Sequence, residues 1–311
     1  MIISILFTLT LFIILIISGT VFSTYCPNNM TKNLFKVIRN SKLGSSEPPP
    51  EWFGNRPNEV GNKNWTNKNW LKSRFHFSFA EYNNPRNAEF GVLRVMNDDL
   101  VQPDRGFGTH PHQNVEIVTY IVEGYLTHKD SMGTSETLTR GDIQFMTAGT
   151  GVQHSEHNLN TESPLRFVQI WINTRKRGLV PNYGSAVGSI DKRRGGWSHM
   201  VTDVDGSAPS SVPIRINQDA NIKVTELDPD QAIDLAVDSG RQVYLLCMEG
   251  SAVTATTVQP EPDSTESVSH SLERHDAAEV FGGAYRLSAG SSGAHLLVVE
   301  MAYTGRGRTD I

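Results

Sequence analysis

The stretch GFGTHPHQNVEIVTYIVEG, residues 106–124, decides the fold. Its second half, VEIVTYIVE, carries apolar residues on both faces, as expected of a strand that is buried on two sides. Gly124 then ends this run at a turn. In the first half, His110 and His112 are separated by one residue, so on a strand both imidazoles project to the same side. The stretch therefore predicts a buried β-strand preceded by two imidazoles on one face.

Other short apolar runs separated by turn residues flank this stretch. FGVLRVM precedes it, IQFMTAG and LRFVQIWIN follow it, and no helical periodicity of more than a few turns occurs between Ala88 and Asn173. A connector runs from Thr174 to Gly196. Beyond it, a second set of strand-like runs consists of IKVTEL, RQVYLLCMEG, SAVTATTV and HLLVVEMAY. The pattern predicts an all-β protein made of two similar β units in tandem, each a barrel or a sandwich.

A second pair of metal-binding residue types lies in GVQHSEHN, where His154 and Glu156 repeat the spacing of His110 and His112. Two strands with two such side chains each would place three imidazoles and one carboxylate around a common point. This donor set suits Fe(II), Ni(II), Cu(II), Zn(II) or Mn(II), and we predict one such ion per chain, with Fe(II) as the first choice. His157 is one residue out of phase and should face away from the ion.

Glu116 lies four residues after His112 and therefore on the same strand face. It is either a fifth donor or an acceptor that orients a ligand imidazole, and we prefer the second role.

Four large side chains near these residues are candidates for lining a cavity that accepts aromatic rings, with burial in an ordinary core as the alternative. They are Phe107, Phe145, Met146 and Trp171.

Composition excludes several classes of protein. Of 311 residues, 38% are hydrophobic and 20% are charged, which is typical of a globular protein rather than a disordered or coiled-coil one. The net charge of -5 leaves no basic surplus for a phosphate backbone, so we expect no direct binding of nucleic acid. The two cysteines, Cys26 and Cys247, are too few for a disulfide scaffold.

The first residues have a different composition. The segment 2–22 contains no charged residue, and as a helix it is long enough to cross a bilayer. Four cations follow between Lys32 and Lys42, and the positive-inside rule then predicts a single-pass N-terminal membrane anchor with a cytosolic domain. The alternatives are a signal peptide cleaved after Ser23, which implies secretion, and a misassigned start.

The segment between Asn40 and Asn69 is polar and rich in Pro, Gly and Asn, which favours an extended linker. The predicted organisation has four parts. They are a hydrophobic membrane segment over residues 1–23, a linker over 24–69, a metal-binding β unit over 70–196, and a second β unit without metal ligands over 197–311.

Around the two pairs of candidate metal ligands, the sequence resembles the cupins. The segment from Gly106 to Gly124 resembles the first cupin motif, and the segment from Gly141 to Asn158 resembles the second. Within the cupins, the strings HPHQNVEIVTYIVEG, HKDSMG, GDIQFMTAGTGVQHSEHN and QIWIN are similar to the pirin family, especially its bacterial-type members with flavonol dioxygenase activity.

This resemblance spans roughly Trp70 to Tyr303 and implies two tandem cupin (jelly-roll) barrels. Here they would be preceded by the N-terminal hydrophobic helix. That helix and the acidic, Ser-rich segment 259–275, which we expect to be an exposed loop, are additions to the family core.

The resemblance also implies a metal site in the N-terminal cupin only. In the family, three histidines and one glutamate hold the metal, and they correspond to His110, His112, His154 and Glu156. The second cupin usually lacks a metal, and the histidines of this half of the chain have no HxH or HxE partner. These histidines are His270, His275 and His295.

The activity that the resemblance implies is that of a quercetin 2,3-dioxygenase. A flavonol binds through its ring oxygens and reacts with dioxygen, and its central ring is cleaved with loss of carbon monoxide. Glu156 would be both a metal ligand and a proton acceptor, with simple neutralisation of the ion as the alternative role. The alternative functions are a metal-dependent co-regulator that binds a protein partner without turnover, and a cupin that only binds a small ligand.

Overall fold

The protein is described here by a computed structural model, which covers residues 34–58, 69–251, 253–258 and 269–304. Within these residues nearly all regular structure is β-strand, which confirms the predicted all-β class. The helical parts of this portion are short. They are the 3₁₀ turns Asn40–Lys42 and Pro50–Phe53 and the single-turn helix α1, Ile190–Arg193.

Two antiparallel sheets form the N-terminal half and face each other across a cavity. The larger sheet contains, in spatial order, β12 (Asn182–Ala186), β9 (Ile143–Thr147), β6 (Val115–Glu123), β11 (Leu165–Asn173), β4 (Leu93–Val101), β3 (Leu71–Phe75) and β2 (Gly44–Ser46). The smaller sheet contains β5 (Arg105–His112), β10 (Val152–Asn158), β7 (Tyr125–Asp130) and β8 (Ser135–Thr139).

A third sheet forms the C-terminal half. Its order is β14 (Ile214–Ile216), β13 (Ser198–Asp203), β15 (Ala220–Leu227), β20 (Ala294–Ala302), β16 (Ala232–Gly250), β19 (Ala277–Ser288), β17 (Val253–Thr257) and β18 (Ser269–Leu272). The first described strand, β1 (Leu34–Ile38), also pairs with β19. Strand β18 lies within the predicted loop 259–275, so this part of that prediction is wrong, while residues 259–268 lie outside the described residues.

Strands β6 and β11 are buried on both faces, as the sequence of β6 predicted. Val118 and Val168 pack into one hydrophobic core together with residues of β16 and β20 from the C-terminal half. Thr119 and Gln169 alternate with them and point to the cavity side, where their side chains hydrogen-bond to each other. The two halves are therefore joined by a continuous core, and the central strands of the larger sheet divide that core from the cavity.

The predicted linker over residues 24–69 is wrong for the part that the structure describes. Residues 34–58, which we call the strap, connect the two halves: β1 pairs with β19, and β2 pairs with β3 at the edge of the larger sheet. The prolines that suggested an extended linker instead lead into the turn Pro50–Phe53, which lies beside β5 at the cavity. Proline suits this position because its fixed φ matches the first residue of a helical turn.

Partly buried hydrogen bonds hold both ends of the strap. At the first end, Arg39 forms a 2.7 Å ion pair with Asp276, whose other oxygen accepts the backbone N–H of Asn40. At the second end, the Asn55 side chain and the Gly106 backbone exchange two hydrogen bonds of 2.9 Å each. The strap is thus fixed against both halves of the protein.

Replacing Asn55 with alanine should loosen the strap over the cavity. The variant loses both hydrogen bonds to Gly106, each worth about 1 kcal/mol. We therefore expect amide hydrogen exchange over residues 50–58 to speed up by roughly tenfold or more, with little change in β6 and β11. Asn182→Ala, an exposed asparagine on β12, is the matched control. Unchanged exchange in the strap would show that these bonds do not hold it.

The structure corrects the predicted membrane anchor and cytosolic domain. Among the described residues, no helix is long and apolar enough to span a bilayer, because the helical elements there are single turns. The predicted membrane segment 2–22 and the alternative cleavage after Ser23 lie outside the described residues.

Candidate metal centre

Three imidazoles converge where β5 pairs with β10. His110 and His154 are directly opposite each other in the antiparallel register, and His112 lies one pleat along β5 on the same face. The ring centroids of the three residues lie 4.5, 4.8 and 4.8 Å apart, so the rings form a nearly equilateral triangle. Their ring nitrogens lie within 4.8 Å of one another, which brings together three of the four predicted ligands.

The geometry of these rings fits a divalent ion. His110 Nδ1 lies 2.7 Å from the Gly108 carbonyl oxygen, which leaves Nε2 free to bind a metal. The Nε2 atoms of His110 and His154 are 3.1 Å apart. Two nitrogens at that separation, each about 2.1 Å from one ion, subtend an angle of about 95° at the ion, closer to octahedral than tetrahedral geometry.

The electrostatics favour neutral imidazoles. Burial lowers the pKa of His110, and burial together with His110 lowers the pKa of His112 to about 4. The pKa of His154 is lowered further by burial and by the neighbouring imidazoles. Because a histidine must be unprotonated to coordinate a metal, all three rings are ready to bind an ion at neutral pH.

Glu156 lies on the same strand as His154, in a polar niche of its own. Its Oε1 accepts a 2.8 Å hydrogen bond from Gln144 Nε2, and its Oε2 accepts one of 2.8 Å from Gln169 Nε2. Thr119 Oγ1 lies 3.2 Å from Glu156 Oε1 and 2.7 Å from Gln169 Oε1, so its one proton is shared between them. Burial raises the pKa of Glu156 to about 7, and these hydrogen bonds oppose that rise.

Glu156 forms a second group of possible ligands with His154 and His128, within the same 4.8 Å limit. The described residues thus contain two overlapping sets that share His154. His157, next to Glu156 on β10, belongs to neither set. Coordination of one ion by His110, His112, His154 and Glu156 remains a prediction.

His128 is a residue of the site that the sequence analysis did not assign. It is fully buried, its Nε2 lies 3.0 Å from Asp130 Oδ2, and its ring stacks on Tyr183. Its ring centroid lies 5.4 Å from that of His154. The string HKDSMG, one of those that resemble the pirin family, contains both His128 and Asp130, so it carried a signal for this position.

The hydrogen-bond partners of Glu156 were also missed. Thr119, Gln144 and Gln169 come from the neighbouring strands β6, β9 and β11, where they are cross-strand neighbours in one row. Each is a polar residue near the middle of a mostly apolar run, VEIVTYIVE, IQFMT or LRFVQIWIN. An isolated polar residue in a buried strand needs a partner, and this was the signal available in the sequence.

Glu116 does not have the role that we predicted. Its carboxylate accepts hydrogen bonds from Thr147 and Asn217, and Thr174 lies 3.5 Å away, so its described partners include no ligand imidazole. The prediction treated His112 and Glu116 as residues of one strand, but His112 ends β5 and Glu116 lies on β6, on the face that packs on the C-terminal half. Asn217 reaches Glu116 from that half of the chain. Glu116 therefore ties β6 to the C-terminal half.

A cavity of about 220 Å³ opens beside the imidazoles, and His110, His112 and Glu156 line it. Of the four predicted lining residues, Phe107 and Trp171 do line it. The other two, Phe145 and Met146, lie in buried hydrophobic clusters, where ordinary core packing was the alternative. The strap adds Trp52 and Phe53, and the Phe53 ring packs edge-on against His110 at 5.8 Å.

The histidines of the C-terminal half make structural contacts. His275 Nδ1 lies 2.6 Å from Asp98, whose carboxylate also pairs with the buried Arg166. His295 lies 2.9 Å from the Tyr120 hydroxyl. The pKa of Asp98 is held well below its usual range because Arg166 and His275 outweigh the effect of burial. These contacts connect the two halves.

Comparison with known proteins identifies the family. Residues 58–172 match the family described as Pirin, and residues 206–301 match the quercetinase C-terminal cupin domain. The chain is 36% identical over 197 residues to the quercetin 2,3-dioxygenase of Escherichia coli, covering 63% of this chain and 80% of that protein. It is 38% identical over 181 residues to a pirin-like protein of Caulobacter vibrioides, covering 58% of this chain and 76% of that protein.

The structural comparison agrees with the sequence matches. The structure of the bacterial pirin YhhW from Escherichia coli, in complex with nickel(II), superposes with a TM-score of 0.66 at 27% identity. The superposition covers 86% of this chain and 99% of that one. Sequence and fold therefore agree, and the chain belongs to the pirin family.

Proposed function

We propose that this protein is a metal-dependent dioxygenase of flavonol-type substrates, built on two tandem cupin barrels. The observation that carries the proposal is the meeting of three imidazoles beside a cavity with aromatic walls, which a buried carboxylate also lines. His110, His112, His154 and Glu156 would hold one divalent transition metal. When bound, such an ion would supply Lewis acidity, and a redox-active ion such as Fe(II) would also supply one-electron chemistry with dioxygen.

The side chains of the cavity would do the remaining work. Phe107, Trp171 and the strap residue Phe53 would hold flat rings and keep water out. A carboxylate whose pKa lies near the working pH is well suited to take a proton from a substrate hydroxyl. In the metal-free protein, burial raises the pKa of Glu156 to about 7, so its carboxylate is a stronger proton acceptor than an exposed one. Gln144 and Gln169 would keep its oxygens in position.

The names of relatives support the same chemistry, since the related Escherichia coli protein is named quercetin 2,3-dioxygenase. The test is oxygen consumption with quercetin, measured on protein loaded in turn with Fe(II), Ni(II), Cu(II), Mn(II) or Zn(II). We expect turnover with at least one metal and none after chelation. Protein that contains a metal but is inert towards flavonols and other enolic substrates would contradict the proposal and favour a regulatory role.

A further inference from the structure

Strand β4 contributes a polar patch to the cavity wall, away from the imidazoles. Asn97 and Asp99 alternate with Asp98 and both line the cavity, as does Ser73 of β3. All three side chains are almost fully buried, with 1 to 4% of their surface exposed. Their role in the protein is not accounted for by the predicted metal ligands.

Asn97 has an unused acceptor. Its Oδ1 is buried and has no hydrogen-bond partner among the described residues. Leaving a buried amide oxygen unpaired costs about 1–3 kcal/mol, so such groups usually await a ligand or a water molecule. Asp99 receives a hydrogen bond from the Ser73 hydroxyl. Burial raises the pKa of Asp99 to about 8, so at neutral pH its carboxyl can also donate.

The patch lies beside the residues that hydrogen-bond to Glu156. Asn97 is the cross-strand neighbour of Gln169, which binds Glu156, and Asp99 lies two residues further along β4. With strands about 4.8 Å apart and a rise of about 3.3 Å per residue, Asp99 lies roughly 8 Å from Gln169. A ligand that contacts both Gln169 and Asp99 must therefore span about 8 Å.

We propose that Asn97 and Asp99 form a recognition site for a hydroxyl group on a ring of the substrate other than the ring that faces the histidines. The rest of the cavity is mostly aromatic, with Phe75, Phe79 and Trp171 near this patch and Trp52 on the strap. It offers stacking surfaces to flat rings, and its other polar side chains outside the imidazoles already bond to each other, Ser46 to Glu81 and Gln169 to Glu156. The polar patch therefore selects among aromatic ligands by their outer hydroxyl groups. This inference rests on the proposed function for the orientation of the substrate.

The test compares two ligands that differ in their outer hydroxyl groups. Protein loaded with Ni(II) is titrated without oxygen with quercetin and with 3-hydroxyflavone, which lacks all hydroxyls on the outer rings, and binding is followed by tryptophan fluorescence. We expect the wild type to bind quercetin about ten to a hundred times more tightly, because a site built to hydrogen-bond a hydroxyl rejects the analogue that lacks it. This ratio should fall to about one to three in Asn97→Leu and in Asp99→Leu.

Two further variants control for structural damage. Asp99→Asn keeps an oxygen acceptor and should retain most of the preference. Met96→Leu changes the neighbouring residue, whose side chain packs in the core on the other face of β4, and should keep the wild-type ratio. A wild-type ratio near one, or an unchanged ratio in both leucine variants, would overturn the inference.

Because the titration needs no turnover, its result is independent of the oxygen assay. Selective binding without oxygen consumption would leave the recognition site in place and remove the dioxygenase proposal. Oxygen consumption without selective binding of quercetin would support the dioxygenase proposal and overturn the recognition site.

Discussion

The double variant His110→Ala, His154→Ala should lose its metal almost completely. We expect the wild type to carry one divalent transition metal per chain, and the variant less than about a tenth of that, because two of the predicted donors are gone. The Nε2 atoms of His110 and His154 are 3.1 Å apart in the wild type, so both removed side chains point to the same candidate site. Elemental analysis after dialysis against a known metal concentration measures the loss.

The matched control for this variant is His157→Ala. His157 is on the same strand as His154 but belongs to neither group of possible ligands, so its removal should leave the metal content unchanged. Thermal unfolding of the metal-free proteins separates loss of metal from loss of fold. Full metal content in the double variant would show that the ion binds elsewhere.

The second large effect is expected for Glu156→Gln. This change removes a negative charge and a proton acceptor with little change of shape. The turnover of a flavonol should fall by a factor on the order of 10² to 10⁴, the usual contribution of a positioned general base. The Gln144 and Gln169 amides both donate to Glu156, so the new NH₂ group will face a donor and one of these amides must turn. Steady-state oxygen consumption at saturating flavonol measures the effect.

Glu116→Gln is the control for this second variant. Glu116 is a fully buried carboxyl on strand β6 of the larger sheet, with hydroxyl and amide partners of its own, and it lies outside both groups of possible ligands. It should therefore keep turnover close to the wild-type rate per folded molecule. Metal content is determined for both variants, because loss of the ion from Glu156→Gln would identify ligation as the main role. Turnover of Glu156→Gln within threefold of the wild type would contradict any catalytic role.

The two pairs of candidate ligands were predictable because each pair depends only on the local geometry of one strand. Side chains two residues apart on a strand share a face, so HPH and HSE each define a pair before any tertiary structure is known. The apolar run of β6 likewise predicted burial on both faces. These patterns could not predict what each face of the strand packs against. In the structure one face of β6 packs on the C-terminal half, and the other carries Thr119 towards Glu156.

The errors have a common physical origin. The strap contains prolines and polar residues that are typical of a linker, and its strands are short, but its pairing partners lie more than 200 residues away for β1 and about 30 for β2. Glu116 was assigned to the strand face of His112, but the chain turns between these two residues and places them on different strands. Asn217 and Thr174 reach Glu116 from distant parts of the chain. Short elements with such remote partners leave no periodic signal in a single sequence.

The sequence by itself determined the β class, most of the strands and the two pairs of candidate metal ligands, since these depend on the alternation of residues along one strand. Only the tertiary structure decided how β5 and β10 align to bring His110 opposite His154, and which row of polar residues meets Glu156. It also decided that the strap closes one wall of the cavity. These features depend on the register between strands and on the stacking of sheets, which are fixed by contacts between residues far apart in the chain.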